Sequence, residues 1–208
     1  MLENIYGVQN LAGLSRKKKS HYEVKAIHPS DLQKFEAEGW IFVKKLKFSV
    51  QIKKEKAHNV LLEDRVWNLF YKMNFKFLSG LGGAKLVINP KDSKSPKSQL
   101  DVVALDSEVA IAVECKSSGE YKKRLQFQEE LGKFNQLKES FNKAVKVYSE
   151  IGIKLQTVFI LVTNRALLTD MDKARAKLDI THHSLPLISV DSLPLISVQS
   201  LPVWYFLD

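Results

Sequence analysis

The stretch QLDVVALDSEVAIAVECKS, residues 99–117, decides the fold predicted for this chain. It contains two runs rich in Val, Ile, Leu and Ala, Gln99–Asp106 and Val109–Lys116. The turn residues Ser107 and Glu108 lie between these runs. Short apolar runs separated by two turn residues are typical of a β-hairpin, so the pattern predicts two antiparallel strands.

Three ionisable residues of this hairpin are expected on one sheet face. A two-residue turn fixes a register in which Asp101 lies directly opposite Glu114, with Cβ atoms about 4.5–5.5 Å apart. Side chains alternate along a strand, so Lys116 shares the face of Glu114. Neighbouring carboxylates repel unless a cation lies between them, and Mg²⁺ prefers oxygen ligands. The hairpin therefore predicts a metal-dependent hydrolytic site.

Each residue of the predicted site has an expected role. Asp101 and Glu114 are expected to hold the metal, and the backbone carbonyl of Cys115 could add a ligand. Lys116 is expected to position or deprotonate the attacking water, or to neutralise charge on the phosphate. Glu63 lies at the edge of the apolar stripe of the preceding predicted helix, from which it could reach the metal directly or through water.

The pattern resembles the PD-(D/E)XK nuclease superfamily, which includes restriction endonucleases, Holliday-junction resolvases and Mrr-type enzymes. The resemblance covers residues 59–178 and departs from the superfamily where Leu100 replaces a proline that often precedes the aspartate. It implies an endonuclease that uses Mg²⁺, with Mn²⁺ as a substitute, on double-stranded or branched DNA, and it is compatible with a homodimer. It rests on an acid in the first helix and on the strand motifs QLDVVAL and VECKS: Glu63, Asp101, Glu114 and Lys116.

The segment after the second strand supplies further candidates. A long helix is predicted over residues 121–150, because apolar residues recur there at helical spacing. Basic residues at its start are candidates for binding nucleic acid, although a solvated helix face explains them equally well: Lys122, Lys123 and Arg124. Many relatives carry a supporting glutamine on this helix, and three glutamines are equal candidates here: Gln126, Gln128 and Gln136.

The predicted order of helix, three strands, long helix, strand and helix favours an α/β fold. With the resemblance, it predicts a restriction endonuclease-like sandwich over residues 57–183, with a mixed central sheet flanked by helices. Residues 1–20 are expected to form a flexible basic arm, and residues 21–56 a small β-α-β extension that either contacts DNA or covers the main sheet. Residues 184–208 form a tail in which the sequence SLPLISV is repeated. This tail is interpreted either as a docking segment or as a duplication without a role.

Composition narrows the functional class further. The net charge is +9, and residues 1–60 carry 12 Lys and Arg against 6 Asp and Glu. This basic excess favours a polyanionic partner such as nucleic acid. The single cysteine, Cys115, excludes an internal disulfide and a multi-cysteine zinc site. Since no apolar run has the length of a membrane span, the expected location is the cytoplasm. Two alternatives stay open: a catalytically silent DNA-binding module and an RNA-processing nuclease.

Overall fold

The computed structural model describes residues 2–87, 97–117, 137–138, 140–146, 155–164 and 187–189. The described helices are α1 (Ala12–Lys19), α2 (Leu32–Ala37) and α3 (His58–Lys72), and residues 137–138 and 140–145 are also helical. The described strands are β1 (Leu2–Glu3), β2 (Ile5–Gly7), β3 (Tyr22–Ile27), β4 (Ile41–Lys45), β5 (Val50–Glu55), β6 (Phe77–Ser79), β7 (Ala84–Val87), β8 (Lys97–Leu100), β9 (Val102–Leu105), β10 (Val109–Ser117), β11 (Gln156–Asn164) and β12 (Leu187–Ser189).

A mixed six-stranded sheet forms the centre of the fold. Its order is β12-β11-β10-β9-β6-β2. The β10–β11 and β11–β12 pairs are parallel, whereas β9 pairs antiparallel with both β10 and β6. The predicted hairpin register is confirmed, since Ala110 pairs with Leu105 and Val113 with Val102. The expectation of a mixed sheet flanked by helices is therefore confirmed.

Alternation along the strands fills a separate hydrophobic core on each face of this sheet. On β9, Val103 faces one core and Val102 faces the other. Phe141, from the helical residues 140–145, packs in the first core. Trp67, from α3, packs in the second. Strand β11 contributes to both cores, as expected for a continuous apolar strand that is covered on both faces.

Three chain segments change sheets at the same corner. Strands β1, β7 and β8 form a three-stranded antiparallel sheet. The segments that follow β1 and β8, and the one that precedes β7, belong to the six-stranded sheet as β2, β9 and β6. The changes occur at Asn4, at residues 80–83 and at Asp101. Asn4 links two of these segments, because its Nδ2 donates hydrogen bonds to the carbonyl oxygens of Leu81 and Gly83.

The expectation of a flexible arm over residues 1–20 is wrong. Residues 2–20 supply β1, β2 and α1, with Leu2 buried in the first core and Leu11 in the second. The basic run misleads because Lys18 is buried rather than solvated, and its ammonium bonds to Asp64 on α3 at 2.7 Å. A buried charge of this kind requires a partner, and that partner lies far along the chain.

The N-terminal extension has one strand more than the predicted β-α-β unit. The second strand of the predicted unit is two strands in the structure, β4 and β5, joined by a turn. The resulting antiparallel sheet has the order β3-β5-β4. One of its faces packs on a small core of Ile27, Trp40, Val50 and Ile52. Because apolar and basic residues continue to alternate through the hairpin, the sequence pattern does not indicate the turn.

Several predictions fall on residues that the structure does not describe. These include the last helix of the predicted order and most of the long helix predicted over 121–150. Of the repetitive tail, the described part is β12, an edge strand of the six-stranded sheet. An edge position accommodates a sequence with a preceding proline. Among the described helices, none is both long and apolar enough to cross a membrane.

Candidate active site

Asp101 lies at the bend where β8 ends and β9 begins. The ladder between β9 and β10 ends at the Val102–Val113 pair, so the expected direct pairing of Asp101 with Glu114 is not formed. The chain leaves the sheet one residue too early for that pairing. Instead, Oδ2 of Asp101 accepts a hydrogen bond from the backbone N–H of Cys115 at 2.7 Å. The carboxylate therefore still lies beside the end of β10.

Gly83 allows this bend to form. It has a φ of +76°, a conformation that side-chain-bearing residues rarely adopt. A Cβ atom at Gly83 would clash with the carbonyl oxygen of Leu100 and lie 3.0 Å from that of Asp101. The backbone of Gly83 thus packs directly against the backbone of the candidate catalytic residue. The sequence LGG at residues 81–83 is typical of a turn, but it gives no indication of this packing.

Glu63 reaches the site from α3. The rotation of this helix is fixed by Trp67, whose Nε1 donates to the carbonyl oxygen of Ser79 at 2.6 Å. The hydroxyl of Ser79 in turn accepts from the N–H of Val103, at the second residue of β9. Because residues four apart lie on one helix face, the anchor at Trp67 also directs Glu63 toward the corner of the sheet.

Glu114 and Lys116 lie near the C-terminal end of β10 and share a sheet face. The ammonium of Lys116 lies 2.7 Å from Oε1 of Glu114, and their side chains are 26% and 19% exposed. This partial exposure leaves both groups accessible to a ligand. Ala110 and Ala112 lie on the same face of β10 but differ from them in burial, because both alanines are buried in the first core.

The electrostatics of the site show an excess of buried negative charge. The pKa of Glu63 is raised from 4.5 to about 7. Burial is the largest cause, the charges of Asp101, Asp64 and Glu114 also raise this pKa, and the charge of Lys18 lowers it. These Coulombic effects place Glu63 near the strand acids. A bound cation would remove much of this repulsion.

Asp101 has its own balance of effects. Burial raises the pKa of Asp101, and the hydrogen bond from Cys115 together with the charge of Lys116 opposes that rise. Burial also raises the pKa of the Cys115 thiol, with Asp101 and Glu63 adding to the effect. Cys115 packs in the second core, as expected for a structural residue rather than a nucleophile.

The donor set suits a hard divalent cation, because three carboxylates supply oxygen atoms. Within the described ranges, no three His, Cys, Asp or Glu side chains stand as a preformed metal site. In the structure, one oxygen of each of the two strand acids already has a partner. Cys115 N–H occupies Oδ2 of Asp101, and Lys116 occupies Oε1 of Glu114. The residue types therefore fit Mg²⁺ or Mn²⁺, and the ammonium of Lys116 lies where a cation would compete with it.

A buried ion network next to the site was missed from the sequence. Asp64 follows Glu63 on α3 and bonds to Lys18 through Oδ1 and to Lys56 through Oδ2, each at 2.7 Å. It joins α1 and the residue after β5 to α3. The side chain of Asp64 is 7% exposed, although the helical pattern of apolar residues gives it no core position.

The remaining predicted residues lie outside the described part of the chain. They are the basic residues and glutamines after β10: Lys122, Lys123, Arg124, Gln126, Gln128 and Gln136. The structure thus brings together Glu63, Asp101, Glu114, Lys116 and the backbone of Cys115.

Comparison with known proteins gives the family. No curated protein matches the chain. The crystal structure of protein VC1899 from Vibrio cholerae has a TM-score of 0.45 and 17% sequence identity over 88% of this chain. The match covers 46% of that protein, so the chain spans less than half of its length. The model of the archaeal Holliday junction resolvase family matches residues 75–193, from just before β6, through β10, to the start of the second tail repeat. With that match over more than half of its length, the chain belongs to the archaeal Holliday junction resolvase family, a family of PD-(D/E)XK nucleases with a restriction endonuclease-like fold.

Proposed function

We propose that the chain is a metal-dependent DNA endonuclease that cleaves branched DNA, with Asp101, Glu114 and Lys116 at its centre. One observation carries the proposal: partly buried acids from a strand bend, a strand end and a helix converge beside one ammonium group. Such a cluster destabilises a hydrophobic sheet unless it binds a ligand. Membership of a resolvase family makes branched DNA the substrate of choice.

Each residue of the site has a separate role in the proposed reaction. Asp101 and Glu114 would hold Mg²⁺ or Mn²⁺, with Glu63 and the carbonyl of Cys115 as further ligands. When bound, the metal would polarise the phosphate and lower the pKa of a water molecule. The hydrogen bond from Cys115 N–H orients Asp101. Lys116, 26% exposed in its side chain, is accessible to donate to a phosphate oxygen as negative charge develops there.

Two further parts of the proposal concern DNA and assembly. Lys122, Lys123 and Arg124 follow β10 closely in sequence, so we assign them to phosphate contacts. Resolution of a four-way junction requires two cuts, so we assign the active form to a homodimer. Light scattering of the protein alone and with a junction tests the second assignment.

The first experiment measures cleavage of a four-way junction, a paired duplex and an RNA duplex, with Mg²⁺, with Mn²⁺ and with EDTA. We expect metal-dependent cleavage of the junction in preference to the other two substrates. Asp101→Asn keeps an oxygen for the Cys115 N–H but removes the charge, and Lys116→Ala removes the ammonium. Each is expected to lower the cleavage rate at least about 100-fold.

Matched controls separate chemistry from folding. Asp106→Asn changes a half-buried acid at the other end of β9, and Lys85→Ala changes an exposed lysine on β7. Both should cleave as the native protein does, and circular dichroism should show equal folding in all variants. Cleavage that survives Asp101→Asn would refute the assignment of the centre. Junction binding without any cleavage would favour the silent binding module, and preferential cleavage of RNA would favour the RNA nuclease.

A further inference from the structure

The hairpin between β4 and β5 exposes an aromatic side chain at its tip. Phe48 is 79% exposed, the largest value among the exposed large hydrophobic residues of the described chain. The turn is closed by a hydrogen bond from Leu46 N–H to the carbonyl oxygen of Ser49 at 2.8 Å, which leaves Lys47 and Phe48 as its two central residues. Neither of them has the positive φ for which two-residue hairpin turns favour Asn, Asp and Gly, and nothing in this turn calls for an aromatic side chain. Neither turn chemistry nor core packing therefore accounts for a phenylalanine here.

The surroundings of Phe48 are strongly basic. Residues 40–54 contain five lysines and no acidic residue. Lys44 and Lys45 are exposed on β4, and the ammonium of Lys47 lies 5.1 Å from the centroid of the Phe48 ring. We call Lys44, Lys45, Lys47 and Phe48 the aromatic–lysine tip. Lysine is depleted in protein–protein interfaces, whereas aromatic rings beside cations are typical of surfaces that bind single-stranded nucleic acid.

The open face of the same sheet has a similar character. Lys53 on β5 is paired with Val24 on one side and with Ile41 on the other, and directly opposed residues share a face. The exposed fractions of Val24 and Ile41 are 50% and 56%. The ammonium of Lys53 also lies 4.7 Å from the ring of Tyr22, which is two residues before Val24 on that face. Apolar and cationic groups thus continue along β5 behind the tip.

The position of the tip relative to α3 is fixed by the fold. Strand β5 has six residues, a length of about 20 Å, and the tip lies at its start. Beyond its other end, Lys56 bonds to Asp64 on α3 at 2.7 Å, next to Glu63. A span of about 20 Å equals about six nucleotide steps along one DNA strand. The whole extension precedes residues 75–193, which the resolvase model matches, so the family match does not account for it.

We propose that the aromatic–lysine tip is a second nucleic-acid contact, in which the lysines bind phosphates and Phe48 stacks on an unpaired base. Bases inside a duplex are already stacked, and inserting a side chain between them requires unstacking. Bases at a branch point or in a single-stranded extension are free to stack on Phe48. The tip therefore favours DNA with unpaired bases over fully paired DNA. The inference rests on the proposed function only in the choice of DNA as the polymer.

The test measures binding in EDTA, so that it does not depend on cleavage. Fluorescence anisotropy compares a four-way junction, a duplex with a single-stranded extension and a paired duplex of equal length. Phe48→Ala is expected to weaken binding to the extended duplex about fivefold or more and to leave the paired duplex nearly unchanged. Leu69→Ala is the matched control, since it removes a side chain that is 46% exposed on α3, and it should change neither affinity.

Salt dependence tests the lysines separately. Replacing Lys44, Lys45 and Lys47 together by alanine should reduce the slope of log affinity against log salt by about 2–3, because each phosphate contact contributes about 0.7–0.9. Phe48→Ala should leave that slope unchanged. A base analogue such as 2-aminopurine in the single-stranded extension should lose fluorescence on binding to the native protein, and retain more of it with Phe48→Ala.

The outcomes distinguish this inference from the proposed nuclease activity. If no substrate is cleaved but the Phe48 and lysine effects are found, the nuclease proposal fails and the tip stands. If Phe48→Ala binds all three DNAs as the native protein does and the lysine variant keeps the full salt slope, the tip proposal is overturned, whether or not the protein cleaves. Self-association that Phe48→Ala abolishes, with DNA binding intact, would assign the tip to a second copy and would also overturn it.

Discussion

Gly82 and Gly83 offer a paired test of how the fold positions Asp101. Both glycines have positive φ, +77° and +76°, so alanine at either position incurs a similar backbone strain. They differ in their surroundings. A Cβ atom at Gly82 would have no neighbour within 4 Å, whereas one at Gly83 would clash with the carbonyl oxygen of Leu100. The comparison of Gly82→Ala with Gly83→Ala therefore isolates the contact from the strain.

The structure gives the expected magnitudes. A side chain in the left-handed region costs about 1–2 kcal/mol of strain per residue. In a chain of this size, each kcal/mol of lost stability lowers the Tm by about 2–4 °C. Gly82→Ala should show that fall and keep its activity. Gly83→Ala must also move the Leu100–Asp101 backbone by about 1 Å to restore ordinary contact distances. A displacement of that size at a catalytic group can lower the rate about 100-fold.

The assay combines thermal unfolding with kcat/KM for cleavage of a four-way junction at saturating Mn²⁺. We expect a larger loss of kcat/KM in Gly83→Ala than its fall in Tm accounts for, and little loss in Gly82→Ala at a temperature where both are folded. Equal losses in the two variants would refute the reasoning, because they would show that only the shared strain matters. Full activity in Gly83→Ala would refute it as well.

Three further perturbations test other parts of the structure. Asp64→Asn leaves the buried Lys18 and the partly buried Lys56 without a carboxylate and should lower the free energy of unfolding by about 3–5 kcal/mol. Asp31→Asn on the surface should change it by less than about 0.5 kcal/mol. Similar values for the two variants in urea titrations would contradict the stabilising role of the network. Because the pKa of Glu63 is raised, the folded state binds more protons than the unfolded state between pH 4.5 and about 7. The metal-free protein should therefore lose stability as pH rises through this window, and Glu63→Gln should reduce that loss. If the dependence of stability on pH is the same in Glu63→Gln as in the native protein, the raised pKa of Glu63 is refuted. Cys115→Ala should keep the cleavage rate of the native protein. The native thiol should resist alkylation until the protein is unfolded, because burial raises its pKa. A loss of activity in Cys115→Ala without a loss of folding would point to a role of the thiol in the reaction.

The sequence was most informative where local pattern determines structure. The Ser107–Glu108 turn fixed the register of β9 and β10, and the structure confirms that register from Leu105–Ala110 to Val102–Val113. Period-two alternation also holds along β10, since Ala112 packs in the first core and Cys115 in the second. The pattern was less informative one residue beyond the ladder, at Asp101. Backbone contacts with Gly83, which lies 18 positions earlier in the sequence, bend the chain there, and no periodicity within a strand encodes such a contact.

The N-terminal residues show the same limit for charge. A run of four basic residues, 16–19, is typical of a solvated segment. Lys18 is nevertheless buried, because Asp64 lies against it from 46 positions away. Leu2 and Leu11 were the local signs that this segment packs on the core. A lysine and an aspartate so far apart are indistinguishable in sequence from two surface charges, so only the assembled fold reveals the pair.

The corner at Asn4, residues 80–83 and Asp101 explains how an apolar sheet can carry acidic residues. A residue within the β9–β10 ladder directs its side chain into one of the two cores, where an unpaired carboxylate would be strongly disfavoured. At the bend, Asp101 leaves the β9–β10 ladder, and its side chain turns toward Cys115 N–H. Glu114 and Lys116 lie just beyond the last Ala112 contact with the first core. The change of sheets therefore creates the position that Asp101 occupies, and substitutions that straighten the corner should abolish cleavage before they unfold the protein.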